Sequence, residues 1–214
     1  MIKLNNISAG YDGKVQLSGV TLSIPDTGLT LIVGPNGGGK TTMLRVILGL
    51  LPTMEGSVEY FRNGTKVGGL SMGYLPQYNS IDRQFPISVM DVVLSGLDCK
   101  RGLLGRIKPG YITMAKEALE TTETLHLKDR PIKALSGGEL QRILLSRAIV
   151  SHPEVIILDE PDTYLDGRFS PNMYKIVQEL SHSCAVILSS HNADNLAAYA
   201  KATVLVDEKV TILS

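Results

Sequence analysis

The run Gly34-Pro35-Asn36-Gly37-Gly38-Gly39-Lys40-Thr41 constrains this chain more than any other segment. An apolar stretch, Leu29 to Val33, precedes it, and Met43, Leu44, Ile47 and Leu48 follow at helical spacing. A strand, a glycine-rich turn and a helix in that order make a loop that holds phosphate. The glycines let successive backbone N–H groups turn toward an anion, and the helix N-terminus adds its positive end. A plain turn would not require Lys40 followed by Thr41 and Thr42. Lys40 is placed to contact β- and γ-phosphates, and the Thr41 hydroxyl to ligate Mg²⁺. The segment therefore predicts a nucleotide-binding core.

The chain has 214 residues, enough for one sizeable core or a core with a smaller subdomain. Lys+Arg and Asp+Glu both total 21, so no basic surplus supports nucleic-acid binding. No apolar run approaches the roughly 20 residues that cross a bilayer. Residues 1–6 lack the apolar region of a secretory signal. Cys99 and Cys184 have neither metal nor redox spacing, which fits thiols in a reducing cytosol.

Along the chain, Val20–Ile24 alternates as a half-buried strand and Pro25–Gly28 reads as a turn. The helix after Gly39 is expected to run to Pro52. Asn63-Gly64 between Ser57–Arg62 and Thr65–Val67 signals a type I′ hairpin, and Met72–Leu75 a further strand. Residues 86–131 show helical spacing and no convincing strand. Ser88 is placed to cap a helix carrying Val89, Val92, Val93 and Leu97, and another is expected over about 112–125. The basic stretch from Lys100 to Gly110 reads as a solvated loop or as a contact with a partner or a lipid headgroup. Beyond Leu140, a helix to about Ser151 leads into alternating units: strand 155–159, helix 171–181, strand 185–190, short helix 193–199, strands 203–206 and 210–213. Such alternation implies a parallel sheet covered on both faces.

Val155–Leu158 ends in Asp159 and Glu160, two acids that are costly at a buried strand end unless a cation offsets them. Alone, the pair fits equally a strand entering an exposed acidic turn. With Lys40 present, Asp159 suits the metal and Glu160 the polarisation of an attacking water. Leu135-Ser136-Gly137-Gly138-Glu139 matches a capping box, Ser136 to Glu139, ahead of Leu140, Ile143, Leu144 and Ala148. A cap needs no paired glycines, which cost about 1 kcal/mol each in a helix. They make sense if an anion approaches the backbone closely.

On these motifs the chain resembles the ATP-binding-cassette ATPases over essentially its whole length. The resemblance implies an α/β fold: a P-loop NTPase-type, mostly parallel sheet with an N-terminal antiparallel β-subdomain and an inserted α-helical subdomain. It places the ATP-binding core and β-subdomain at 1–85 and 152–214, and the helical subdomain with its signature helix at 86–151. It implies ATP and Mg²⁺ as cofactors and a homodimer in which Ser136, Gly137 and Gly138 close the partner's nucleotide site. Gly34 to Thr42 would hold the phosphates. Tyr11 matches the aromatic that stacks on adenine, and Gln77 the glutamine that joins the metal site to the helical subdomain. Leu165-Asp166 matches the loop crossing the dimer, and His191 the switch histidine at the γ-phosphate. Each has a plainer reading: edge-strand packing for Tyr11, a solvated loop for Gln77, a structural histidine for His191. Glu139 in place of glutamine, and Tyr164 in place of a small residue, depart from the family pattern.

The stretch Phe85-Pro86-Ile87-Ser88-Val89-Met90-Asp91-Val92-Val93-Leu94-Ser95-Gly96 is similar to that of importer subunits for zinc, manganese or iron. This resemblance implies membrane permease subunits as partners and, indirectly, an extracytoplasmic substrate-binding protein. It also implies a peripheral position on the cytoplasmic face of the cell membrane. His126, His152, His182 and His191 have no ligand spacing, so the transported ion is expected to bind elsewhere. Two other readings stay open: a cassette of a lipoprotein-release or cell-division complex, and a soluble ribosome- or nucleic-acid-associated ATPase switch.

Overall fold

A computed structural model describes residues 1–77, 82–97, 109–161, 169–191, 194–207 and 209–212. Tyr164, Leu165, Asp166, Cys99 and the basic stretch 100–108 lie outside the described residues.

The chain begins with a long hairpin, β1 (Ile2–Tyr11) and β2 (Lys14–Ile24), which pair antiparallel. Its turn is Asp12-Gly13, both at positive φ (50° and 76°), as a type I′ turn requires. The strand expected over Val20–Ile24 is thus the last part of a longer β2. That part alternates most clearly, because Val20, Leu22 and Ile24 point into the core. β4 (Glu55–Arg62) adds to β1, and β5 (Thr65–Val67) adds to β4 through the expected Asn63-Gly64 turn. The resulting antiparallel sheet has the order β2-β1-β4-β5.

The second sheet has the order β10-β9-β3-β8-β7-β6, from β3 (Gly28–Val33), β6 (Met72–Leu75), β7 (Val155–Asp159), β8 (Ala185–Ser190), β9 (Ala200–Asp207) and β10 (Lys209–Ile212). All pairings are parallel except β9 with β10. Its strands alternate between two cores. On one face Ile32, Val155, Ile157 and Ile187 meet α1 (Lys40–Ile47) and the antiparallel sheet; on the other Leu31, Ile156, Leu158 and Leu188 meet the remaining helices. Central strands buried on both faces are why 155–158 and 185–188 read as unbroken apolar runs. The expected α/β fold is the observed one.

The other helices are α2 (Val89–Ser95), α3 (Pro109–Thr121), α4 (Gly137–Ile149), α5 (Ser170–Ser181) and the short α6 (Asp194–Ala197). α1 stops at Ile47, short of the expected Pro52, because Gly49 takes a left-handed φ of 71° and Leu50 and Leu51 bond back to Arg45. The helix expected over 112–125 begins and ends earlier, with a separate 3-10 turn at Leu125–Leu127. Ser88 caps α2 as expected, accepting from the Asp91 N–H at 3.2 Å. Gly96 has a packing reason, since a β-carbon there would lie 2.2 Å from the Arg147 carbonyl of α4. Arg147 Nε also donates to Ser95 Oγ at 2.9 Å, which seats α4 on the end of α2. Among the described residues no helix is long and apolar enough to cross a membrane.

Candidate nucleotide site

Parallel register gathers the site. Val33 aligns with Ser190, Asp159 with Ser189, and Leu75 with Leu158. Gly34, Gln77, Glu160 and His191 therefore all leave the carboxyl edge of the same sheet, where ligands of such sheets sit. A cavity of about 470 Å³ opens there, lined among others by Tyr11, Asn36, Gly37, Lys40, Gln77 and Glu160.

The loop's shape depends on glycine. Gly34, at φ 149°, passes so close to β9 that a β-carbon would lie 2.1 Å from the Val206 carbonyl. Gly39, at φ 104°, is the N-cap of α1 and supplies no side-chain cap, so the first turn keeps its N–H groups for a ligand. Lys40 is 5% exposed, and its ammonium donates to the carbonyls of Gly34 (2.9 Å) and Pro35 (3.1 Å). It also lies 3.5 Å from Glu160 Oε1. Glu160 has a left-handed φ of 50°, held by its N–H donating to the Ser189 carbonyl and hydroxyl. For a non-glycine residue that conformation is sparsely populated and marks a constrained position.

Asp159 is fully buried. Its Oδ1 accepts from Ser189 Oγ (2.7 Å) and Thr41 Oγ1 (3.2 Å), while Oδ2 is buried with no partner. Burial pushes its carboxyl above the usual range; the bonds from Ser189 and Thr41 oppose this, and the nearby Glu160 charge adds to it. A buried acid with one oriented oxygen and one orphan beside a hydroxyl fits a hard cation held by oxygen ligands.

Tyr11 ends β1 on the cavity wall, and its hydroxyl accepts from Arg45 Nη1 at 3.0 Å. Burial, then the Asp159 charge, pushes the nearby Tyr74 hydroxyl up to about 12. Thr42 Oγ1 donates to Gln16 Oε1 at 2.7 Å. His191 is exposed at the end of β8 and does not line the cavity.

Ser136, Gly137 and Gly138 do not line it either. They open α4, where Ser136 Oγ accepts from the Glu139 N–H (3.2 Å) and Glu139 Oε2 from the Ser136 N–H (2.7 Å). These bonds hold the Glu139 carboxyl below its usual range. The side chain of Gln141, one turn on, is buried and donates to the Pro161 carbonyl at 3.2 Å, linking α4 to the turn after Glu160.

Sequence reasoning missed Gln16, Arg45, Ser189 and Gln141. Arg45 was within reach, four residues after Thr41 on one helix face. The others depend on strand register or on tertiary packing, which no local pattern encodes.

Residues 17–163 match the family model described as ABC transporter. The manganese transport system ATP-binding protein MntB of Bacillus subtilis (strain 168) is 35% identical over 191 residues, covering 89% of this chain and 76% of that protein. The zinc import ATP-binding protein ZnuC of Pasteurella multocida (strain Pm70) is 34% identical over 200 residues, covering 92% and 70%. A solved inward-facing structure, assigned to the metal-chelate type of ABC transporter, superposes with a TM-score of 0.84 at 26% identity, covering 99% of this chain and 82% of that one. The family model spans most of the chain and the fold agrees over nearly all of it. The chain belongs to the ABC transporter family, as one of its ATPase cassettes.

Proposed function

We propose that this chain is the ATP-hydrolysing subunit of an importer for a metal cation (zinc, manganese or iron) or its chelate. It would work as a homodimer on the cytoplasmic face of the membrane. The observation that carries the ATPase part is the convergence of Lys40, Thr41, Asp159 and Glu160 at one sheet edge, with Asp159 Oδ2 buried and unpartnered. The metal cargo rests on the run Phe85 to Gly96 and on relatives named for manganese transport and zinc import.

In this reading the N–H groups of Gly34 to Thr42 cradle the phosphates, and Lys40 exchanges its loop carbonyls for phosphate oxygens. Thr41, Asp159 and Gln77 would hold Mg²⁺, which when bound would supply positive charge beside the phosphates. Glu160, steered by its left-handed turn, orients and deprotonates the attacking water. His191 meets the γ-phosphate from the end of β8, and Tyr11 stacks on the base. Ser136, Gly137 and Gly138 complete the partner's site. The helical part, 86–151, then moves against the core, and the segment from Gln77 to Gly96 passes that motion to the permease subunits. An extracytoplasmic binding protein selects the cargo.

The test is the ATPase rate of the purified complex with its binding protein loaded with Zn²⁺, Mn²⁺ or Fe²⁺. Stimulation by one of the three is expected. A complex indifferent to all three, yet stimulated by another cargo, would overturn the metal assignment.

A further inference from the structure

The β1–β2 hairpin carries Tyr11 at its tip, next to the exposed Asp12-Gly13 turn, where two strands alone give little support to a side chain. α1 holds that tip from beneath. Thr42 Oγ1 donates to Gln16 Oε1 on β2 at 2.7 Å, and Arg45 Nη1 donates to Tyr11 Oη on β1 at 3.0 Å. Leu17 packs on the loop as well, 2.8 Å from where a Gly39 β-carbon would lie. The Arg45 guanidinium sits 5.9 Å from the centre of the Tyr11 ring, at the outer reach of a cation–π contact. The same helix that begins at the phosphate loop therefore fixes both strands of the hairpin that presents the aromatic.

We infer that Arg45 is a positioning residue for the base: it orients Tyr11 through the Tyr11 hydroxyl and so ties recognition of the base to the helix that holds the phosphates. The inference rests on the ATP-binding reading above. Arg45 does not act here as a second phosphate cation. Its guanidinium already serves Tyr11 and lies within the electrostatic reach of Tyr74 and Asp159. A ring held at a preset angle costs the ligand less ordering when the base stacks on it.

Binding of ATP and of inorganic tripolyphosphate, which has no base, separates the alternatives on the whole chain. Arg45→Met should weaken ATP binding about five- to tenfold, the scale of one charge-assisted hydrogen bond, and leave tripolyphosphate binding unchanged. Tyr11→Phe keeps the ring and removes the acceptor, so it should match Arg45→Met, and the double variant should be no worse than either. In steady state KM for ATP should rise while kcat holds. If Arg45→Met does not fold, the Tyr11→Phe pattern decides alone. Equal weakening of both ligands would make Arg45 a plain phosphate contact and overturn the inference, as would a Tyr11→Phe chain that binds ATP normally. A wild-type chain that binds neither ligand would refute the ATP-binding reading instead, and this inference with it.

Discussion

The starts of α1 and α4 are both glycine-rich, but they are finished in opposite ways. α1 begins at a left-handed Gly39 with no side-chain cap, inside a cavity whose walls carry Lys40, the Thr41 hydroxyl and Glu160, with Asp159 buried behind them. α4 begins with a complete capping box, in which Ser136 and Glu139 satisfy each other's N–H groups. The first start leaves its N–H groups open to an anion, while the second already has the Ser136 and Glu139 N–H groups satisfied within the chain. In our reading the Glu139 carboxylate stands where a phosphate from the other subunit arrives, so Ser136 changes partners when two copies close. One chain then holds a full phosphate and cation site but only the outward half of a second one.

Breaking the first end should cost most. Glu160→Gln removes the proposed base and keeps the shape, so hydrolysis should fall by about 10² to 10⁴ while ATP still binds. Rapid turnover in that variant, measured by phosphate release, would remove Glu160 from the role. Ser136→Arg attacks the second end. It should lower hydrolysis at least about tenfold and leave ATP binding to the monomer within about twofold, since Ser136 does not touch the cavity. Loss of both together would place Ser136 in the same-chain site.

Two smaller changes sharpen the contrast through stability. Gly96→Ala forces a β-carbon against the Arg147 carbonyl and should unseat α4, costing about 1–3 kcal/mol in chemical denaturation. Glu154 lies before β7, at the opposite edge of the sheet from the cavity, and accepts from Arg62 and Ser71. The Arg62 bond leads in holding its carboxyl at about 2 in place of 4.5. A lowered native value contributes stability above 4.5 that is lost as pH falls toward about 2. Glu154→Gln should therefore lower the melting temperature by about 2–4 °C at pH 7, and the gap should close between pH 4.5 and 2. Its KM for ATP should not change; a changed KM would mean that this edge is coupled to the site.

Much of this molecule is written locally. The loop at Lys40, the strand Val155–Asp159 and the Ser136–Glu139 box each have periodicity or chemistry that survives without the rest of the fold. What stayed hidden depends on register. Ser189 orients Asp159 only because β7 and β8 run parallel in step, and Gln16 reaches Thr42 only after the Asp12-Gly13 hairpin forms. That hairpin had a signal, Asp-Gly between strands, but β1 is bulged between Leu4 and Gly10, so its alternation is broken and its length was not legible. α1 ended early because Gly49 offered a left-handed stop ahead of Pro52.

In the proposed dimer one nucleotide is shared by two copies of this chain. The most direct test is the solution mass of the Glu160→Gln chain with saturating ATP, with and without Ser136→Arg. Glu160→Gln alone should form a dimer holding two ATP, and adding Ser136→Arg should leave a monomer holding one ATP. An ATP-loaded dimer that survives Ser136→Arg unchanged would contradict a nucleotide site closed by Ser136 of the other copy.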